Sequence, residues 1–454
     1  EYGRSAAVIN TTLKSGSNAF HGDAYDYVQN NILNANDFFS NLDGLPTGRV
    51  RYNDFGATIG GPVRLPHIYN GRDKTFFFFS YEGLRNPTIS NFQALDPSPG
   101  QLAGNLADNS YGTGFFPTSS AYCQAAATAH SPHCVDVIDP TTGQPFPGNV
   151  IPTTRLDPVA QKWLPYWPAP NLTNAPIPTA GAFPVYNYAV TKNGYVNSDQ
   201  YNARVDHALT SRDQLWGAFS HDNRPTVAPS ALPLTGSSWP LSDSLLTITE
   251  THIFSPTVVN EARFGYNKGK TYLVGLGALT QNYAAQFGFQ NTSGNPFDFG
   301  VPDAGVPLFS TPGSFGESIG ALDQDFQWVD NLSIVSGNHN VKLGINYIHE
   351  KFYQITDFSG IPSFNFTGAY TSNGLGDFLL GDVNSATASV GDSSQNLVSN
   401  FYAGFLQDNW RVRPSLTLNL GLRYEFGQTP FDTSSKTGWF DPSTQQVEYS
   451  RSGA

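Results

Sequence analysis

From Leu416 to Phe426 the chain alternates without a break. Leu416, Leu418, Leu420, Leu422, Tyr424 and Phe426 fall on one side, and Thr417, Asn419, Gly421, Arg423 and Glu425 on the other. A period of two is that of a β-strand with one apolar and one polar face. The pattern returns with Val341, Leu343, Ile345 and Tyr347 against Lys342, Gly344 and Asn346. It returns again with Val258, Ala262, Phe264 and Tyr266 against Val259, Glu261, Arg263 and Asn267, and with Tyr201, Ala203, Val205 and Leu209 against Asn202, Arg204 and Asp206. The expected class is all-β. Charged residues make up only 13% and aromatics 14%, so the chain is polar through Gly, Asn, Ser and Thr, the residues of turns and strands rather than helices.

The connections narrow the class further. Short ones are expected at Thr210 to Arg212, Phe254 to Thr257, Ser336 to Asn338 and Val412 to Ser415, and long ones over about 87–197, 224–242, 272–324 and 353–398. Short and long take turns. A soluble sandwich has no reason to keep every second connection tight, whereas an antiparallel transmembrane β-barrel has short periplasmic turns and long extracellular loops. Strands of about ten residues suit a tilted crossing. The apolar face then meets lipid, with Val341, Leu343, Ile345, Leu416, Leu418, Leu420 and Leu422 in the band. Arg204, Asp206, Glu261, Arg263, Lys342, Arg423 and Glu425 face a lumen and are expected to pair across adjacent strands. Trp328, Trp410, Tyr424 and Phe426 are placed at strand ends, at headgroup level. The run Phe76 to Phe79 marks a strand without fixing its lipid face. A soluble β-sandwich or propeller is the alternative, because alternation alone does not say which face sees water.

The net charge of −12 and pI near 5.1 argue against a nucleic-acid partner, whose phosphates are bound by Lys and Arg. A run of about 18 apolar residues, as a membrane helix needs, is absent. So are the nucleophile elbow, phosphate loop, zinc-protease and dinucleotide motifs, and no catalytic, cofactor-binding or metal residue is assigned. Gly60, Gly61 and Pro62 close a strand and are read as a turn. Asp303, Asp323, Asp325 and Asp330 are read as solvated loop carboxylates rather than an acid pair or calcium cluster. His207, His221, His252, His339 and His349 share no ligand spacing. Cys123 and Cys134, with His130 and His133 nearby, favour a loop disulfide over free thiols or a metal.

Three blocks carry a family resemblance. EYGRSAAVINTTLKSGSNAFHGDAYDYVQNN resembles the junction between plug and first barrel strand of TonB-dependent receptors. YNDFGATIGGPV followed by KTFFFFSYEGLRN resembles the next two strands in the Oar-like branch, and FYAGFLQDNWRVRPSLTLNLGLRYEFG resembles a later hairpin. The resemblance implies a plugged barrel of about 22 strands, with residues 1–18 the end of the plug, 19–454 the N-terminal half of the barrel, and a missing N-terminal box for an inner-membrane TonB-type complex. Ala7 to Leu13 is itself strand-like, and Ser15 to Asn18 make a turn. Strands near Phe20, Tyr52, Thr75, Tyr201, Leu215, Leu246, Val258, Phe326, Val341, Tyr402 and Leu416 give about eleven crossings, an odd number that does not close a bacterial barrel. The expected function is energised uptake or export of a large or scarce solute, its binding residues unassigned. A passive porin-like channel and a secreted glycan-binding β protein are the rivals.

Overall fold

The computed structural model describes residues 12–35, 38, 50–125, 131–173, 182–314, 318–389, 391–434, 436 and 438–449. Eleven long strands follow one another in a single antiparallel sheet: β1 His21–Asn30, β2 Arg51–Pro62, β3 Thr75–Ala94, β4 Tyr188–Ala208, β5 Asp213–Pro229, β6 Gly236–Ser255, β7 Val258–Gly275, β8 Ser318–Ser336, β9 His339–Asp357, β10 Gln395–Arg413 and β11 Leu416–Gly427. Each pairs with its sequence neighbour, and the short strand Phe431–Asp432 adds to β10 beside β11. The sheet stays open, with β1 and β11 at the two ends of the strand order. The expected eleven crossings are these strands.

Register fixes the two faces. One row runs Phe77, Val205, Gly217, Ile248, Phe264, Trp328, Tyr347, Tyr402 and Phe426 across nine strands. Because successive side chains alternate, Val341, Leu343, Ile345, Leu418, Leu420 and Leu422 lie on this apolar face. The neighbouring row runs Asp206, Trp216, Thr249, Arg263, Val329, Asn346, Ala403 and Glu425 on the other. Every charged group expected on the polar side is there. Phe77 and Phe79 of the phenylalanine run take the apolar face, Phe76 and Phe78 the polar one.

Three expectations are corrected. The strands from β3 to β10 are 17 to 21 residues long, well beyond a membrane crossing, so the long connections shrink to 95–187, 276–317 and 358–394, and the one expected over 224–242 is only 230–235. Trp328 consequently lies mid-strand in β8, and Asp323, Asp325 and Asp330 sit on that strand rather than in a loop. Three pairs of the polar face run along a strand, not across: Arg204 with Asp206 at 2.6 Å, Arg263 with Glu261 at 2.9 Å and Arg423 with Glu425 at 2.6 Å. Residues i and i+2 share a face about 7 Å apart, a span the long Arg side chain bridges by itself. Arg204 also stacks on Trp216, 4.4 Å from the ring centroid. Cross-strand pairs do occur elsewhere, as Arg85–Asp199 at 2.7 Å.

The hydrophobic core is not in the sheet. It lies in a cap built from the long connections at the loop end, where Leu106, Val137, Ile151, Trp163, Trp167, Val301, Phe309, Leu375, Phe378 and Leu379 are buried together. The helix Gly374–Leu380 supplies three of these, its N-cap Asn373 accepting from the Gly376 amide. The indole N–H groups of Trp163 and Trp167 donate to the carbonyls of Pro302 and Ser310 at 2.6 and 2.7 Å. The expected disulfide is present: Cys123 and Cys134 are bonded, with Cα atoms 5.7 Å apart. His133 is committed to the Gly114 carbonyl at 2.6 Å, and His130 lies outside the described residues.

Candidate solute cleft and the seat of the N-terminal segment

Two places on the molecule gather polar groups for which the sheet itself has no use. The first is at the turn end of the polar face, where residues 13–18 lie across β2 to β4. Arg204 donates to the Leu13 carbonyl at 3.2 Å, and the Ser15 hydroxyl donates to Asp206 at 2.8 Å. Asn18 donates to the Asp73 carboxylate at 2.5 Å and accepts from the Asp73 amide at 2.9 Å. The segment is held as close as backbone permits: a Cβ on Gly16 would fall 2.3 Å from the Phe77 carbonyl oxygen, and one on Gly61 2.5 Å from the Phe20 ring. Gly60 and Gly61 therefore do more than end β2. They leave the bare backbone on which Gly16 and Phe20 rest, the small residues themselves being the only sign of it in the sequence. Residues 7–11 of the expected strand lie outside the described residues; Thr12 and Leu13 pair with no strand among the described residues.

The second is at the loop end, where an open cleft of roughly 480 Å³ is lined by Asn291, Thr292, Ser293, Asn295, Tyr353, Asp392 and Ser394. Amides and hydroxyls dominate, around one aromatic ring. Such a lining exchanges water for a hydrogen-bonding solute at little net cost and offers Tyr353 as a stacking surface. Asp392 is fixed by Lys436, which also donates to the Ser394 carbonyl at 3.1 Å, and that partner pulls its carboxyl down to about 2. Beneath it, Asp298 accepts from Ser293 at 2.6 Å. Burial, then the nearby Asp357 and Asp392 carboxylates, push the Asp298 carboxyl upward against that bond. Two further cap carboxyls, Asp96 and Asp303, are pushed up to about 7 by burial. The four aspartates read together from the sequence are thus scattered: Asp303 in the cap, Asp323 and Asp325 on the polar face, and Asp330 on the apolar one.

A family model for the outer membrane beta barrel domain matches residues 12–454. The chain belongs to that family. Solved structures similar to it include the outer membrane transporter YddB from Escherichia coli, at 8% identity and a TM-score of 0.46, covering 90% of this chain and 39% of that one. The siderophore receptor PirA from Acinetobacter baumannii is at 10% identity and a TM-score of 0.39, covering 91% and 40%. The copper transporter OprC is at 8% identity and 0.41, covering 97% and 42%. The chain thus spans about two fifths of the length of these structures. No curated protein matches its sequence.

For a barrel of the outer membrane, the two faces have assigned solvents. The apolar face meets lipid, where the strands from β2 to β11 present Leu, Ile or an aromatic ring and β1 presents Ala24 and Val28, and the polar face turns toward the lumen. Aromatic rings form a cross-strand ladder on the lipid side, from Phe264 to Trp328 at 5.4 Å, on to Tyr347 at 5.3 Å and Tyr402 at 5.0 Å. At the turn end the lipid-facing rows become polar. His339 holds Asp408 at 2.6 Å and stacks on Trp410, while His252 holds Asp213 at 2.5 Å with Phe254 against its ring. His207 accompanies Thr75 at 2.7 Å. These histidines, which share no spacing in the sequence, share a rim.

Proposed function

We propose that this barrel wall belongs to an energised transporter of the TonB-dependent, Oar-like kind, which takes up a large or scarce polar solute. Residues 1–18 are the end of a plug, 19–454 are barrel, and the solute first meets the cleft around Asn291, Asn295 and Tyr353. The observation that carries this reading is the seat of residues 13–18 on the polar face. A chain segment preceding β1 is bound to Arg204, Asp206 and Asp73 inside the wall, at the turn end, where the last residues of a plug enter the first strand. A plugged lumen does not pass a large solute by diffusion, so an inner-membrane coupling complex of TonB type is the partner the arrangement calls for.

Uptake by cells carrying the full-length protein tests this directly. Radiolabelled oligosaccharides and peptides are offered with and without a protonophore, and in a strain lacking the coupling complex. Accumulation that vanishes under both conditions supports the proposal. Equal uptake in all of them would mean a passive channel and overturn it.

A further inference from the structure

We propose that Asp213, Glu250 and His252 form a binding site for a divalent transition-metal ion of the zinc class, on the turn-end rim of the lipid-facing surface. One carboxylate oxygen from each acid and a ring nitrogen of His252 lie within 4.8 Å of one another. The sheet brings them together: Asp213 is the direct cross-strand partner of His252, and Glu250 lies opposite Leu215, one repeat further along the same face. None of this is visible in the spacing 213, 250, 252, because the two strands meet only through the register of β5 on β6.

The first argument is charge. Asp213 and Glu250 bring two carboxylates to one imidazole nitrogen, a charge that a divalent ion held by all three cancels. Glu250 faces Leu215 and Ala262 across its neighbouring strands, and these supply no counter-ion. At the edge of the hydrocarbon layer an uncompensated carboxylate is costly. Arg212, in the adjoining turn, acts on Asp213 through its field alone.

The second argument is ligand chemistry. Calcium and magnesium take all-oxygen shells of six or more ligands, whereas two oxygens and an imidazole suit zinc and its neighbours, with a water completing the shell. The site is also partly organised. The Thr210 hydroxyl holds the second oxygen of Asp213, and Phe254 packs edge-on to the His252 ring at 4.3 Å. A tetrahedral zinc at bonds of about 2.1 Å wants its ligand atoms about 3.4 Å apart. Asp213 and His252, hydrogen-bonded at 2.5 Å, part by about 1 Å as the ion takes the place of the proton between them, which leaves to solvent, and Glu250 rotates inward, held by no hydrogen bond or ion pair among the described residues. The rim contains its own comparison: His339 and Asp408 make the same kind of pair at 2.6 Å but have no third ligand among the described residues.

The test uses the full-length protein folded in detergent micelles, stripped with EDTA and dialysed against zinc, with bound metal measured by mass spectrometry. Cobalt substitution, read as visible absorption, reports the coordination. Folding of each variant is checked by the heat-dependent mobility of the barrel on gels. The expected result is one zinc per chain. Since losing a mere supporting partner of a metal ligand weakens binding about 10–100-fold, His252→Ala and Glu250→Gln should each weaken it at least tenfold, while His339→Ala leaves it unchanged. Wild-type protein that retains no zinc would overturn the proposal. So would a folded Glu250→Gln variant that binds as tightly as wild type, or a loss in His339→Ala equal to that in His252→Ala.

Discussion

Ile345 on β9 and Phe378 in the cap are both large apolar side chains in well-formed elements, yet the first is 65% exposed and the second 0%. Leu422 on β11, at 76%, and Leu375 beside Phe378, at 1%, repeat the contrast. The cap is an ordinary folded body, with apolar groups inside and amides satisfied by side chains such as Asn149, which reaches both the Phe115 and Val135 carbonyls. The sheet reverses that order. Its stability comes from backbone pairing between neighbours and from a lipid solvent that replaces a protein core. One chain therefore follows two rules of burial, and a substitution's cost depends on which rule governs the site.

The contrast breaks most visibly in the cap. Phe378 packs edge-on against Trp167 at 5.0 Å and Phe366 at 5.2 Å, so Phe378→Ala should cost about 3–5 kcal/mol of cap stability. A denaturant titration followed by fluorescence of Trp163 and Trp167 measures it. A change below about 1 kcal/mol would mean that the cap has no cooperative core.

Next comes the lipid face. Ile345→Arg should cost about 2–4 kcal/mol in folding into vesicles, because the charge meets hydrocarbon. Asn419→Lys, on the opposite face of the sheet, should stay within about 0.5 kcal/mol. Equal costs at the two sites would abolish the distinction between the faces.

Smaller again is the disulfide. With a sequence separation of 11 between its cysteines, its loss in a Cys123→Ser, Cys134→Ser variant should lower cap stability by about 2–3 kcal/mol and leave the sheet's heat-dependent gel mobility unchanged. Protease digestion of intact cells shows whether the effect stays on the loop side.

The last test is pH. Asp96 and Asp303 have folded carboxyls at about 7, above their unfolded values near 4. Below both values each is protonated in either state. As pH rises from 4 toward 7 the unfolded chain ionises first, so their contribution to stability falls across that window and levels off above it. The cap should resist proteolysis better at pH 5 than at pH 8, and Asp96→Asn should reduce the difference by about half, leaving the share of Asp303. A cap that grows steadily more resistant over the same rise would contradict the burial of these groups.

How much of this was legible depends on which solvent a segment meets. Where one face sees lipid and the other the lumen, alternation is strong, and Leu416 to Phe426 or Val341 to Tyr347 could be assigned to a face from sequence alone. Above the membrane both faces see water and the pattern dissolves. Ser237, Ser238 and Ser242 belong to β6, yet nothing in their polarity marks a strand, and the sequence alone offers a loop over 224–242. The cysteine pair was legible because two residues allow one pairing. The cleft was not, since it draws on 291–295, 353 and 391–394, three stretches without common spacing that only the cap's packing joins. The seat of the N-terminal segment leaves one local sign, the glycine pair at 60 and 61, whose residue types suit a turn equally well.

The ion pairs along the strands bear on how such a wall is assembled. Arg204 travels with Asp206, Arg263 with Glu261, and Arg423 with Glu425, each couple two residues apart on one strand. A strand that brings its own counter-ion joins the growing sheet already neutral at that point. It need not wait for a neighbour to arrive before its charge is satisfied, so at these three points the joining of one hairpin to the next is left to hydrogen-bond register.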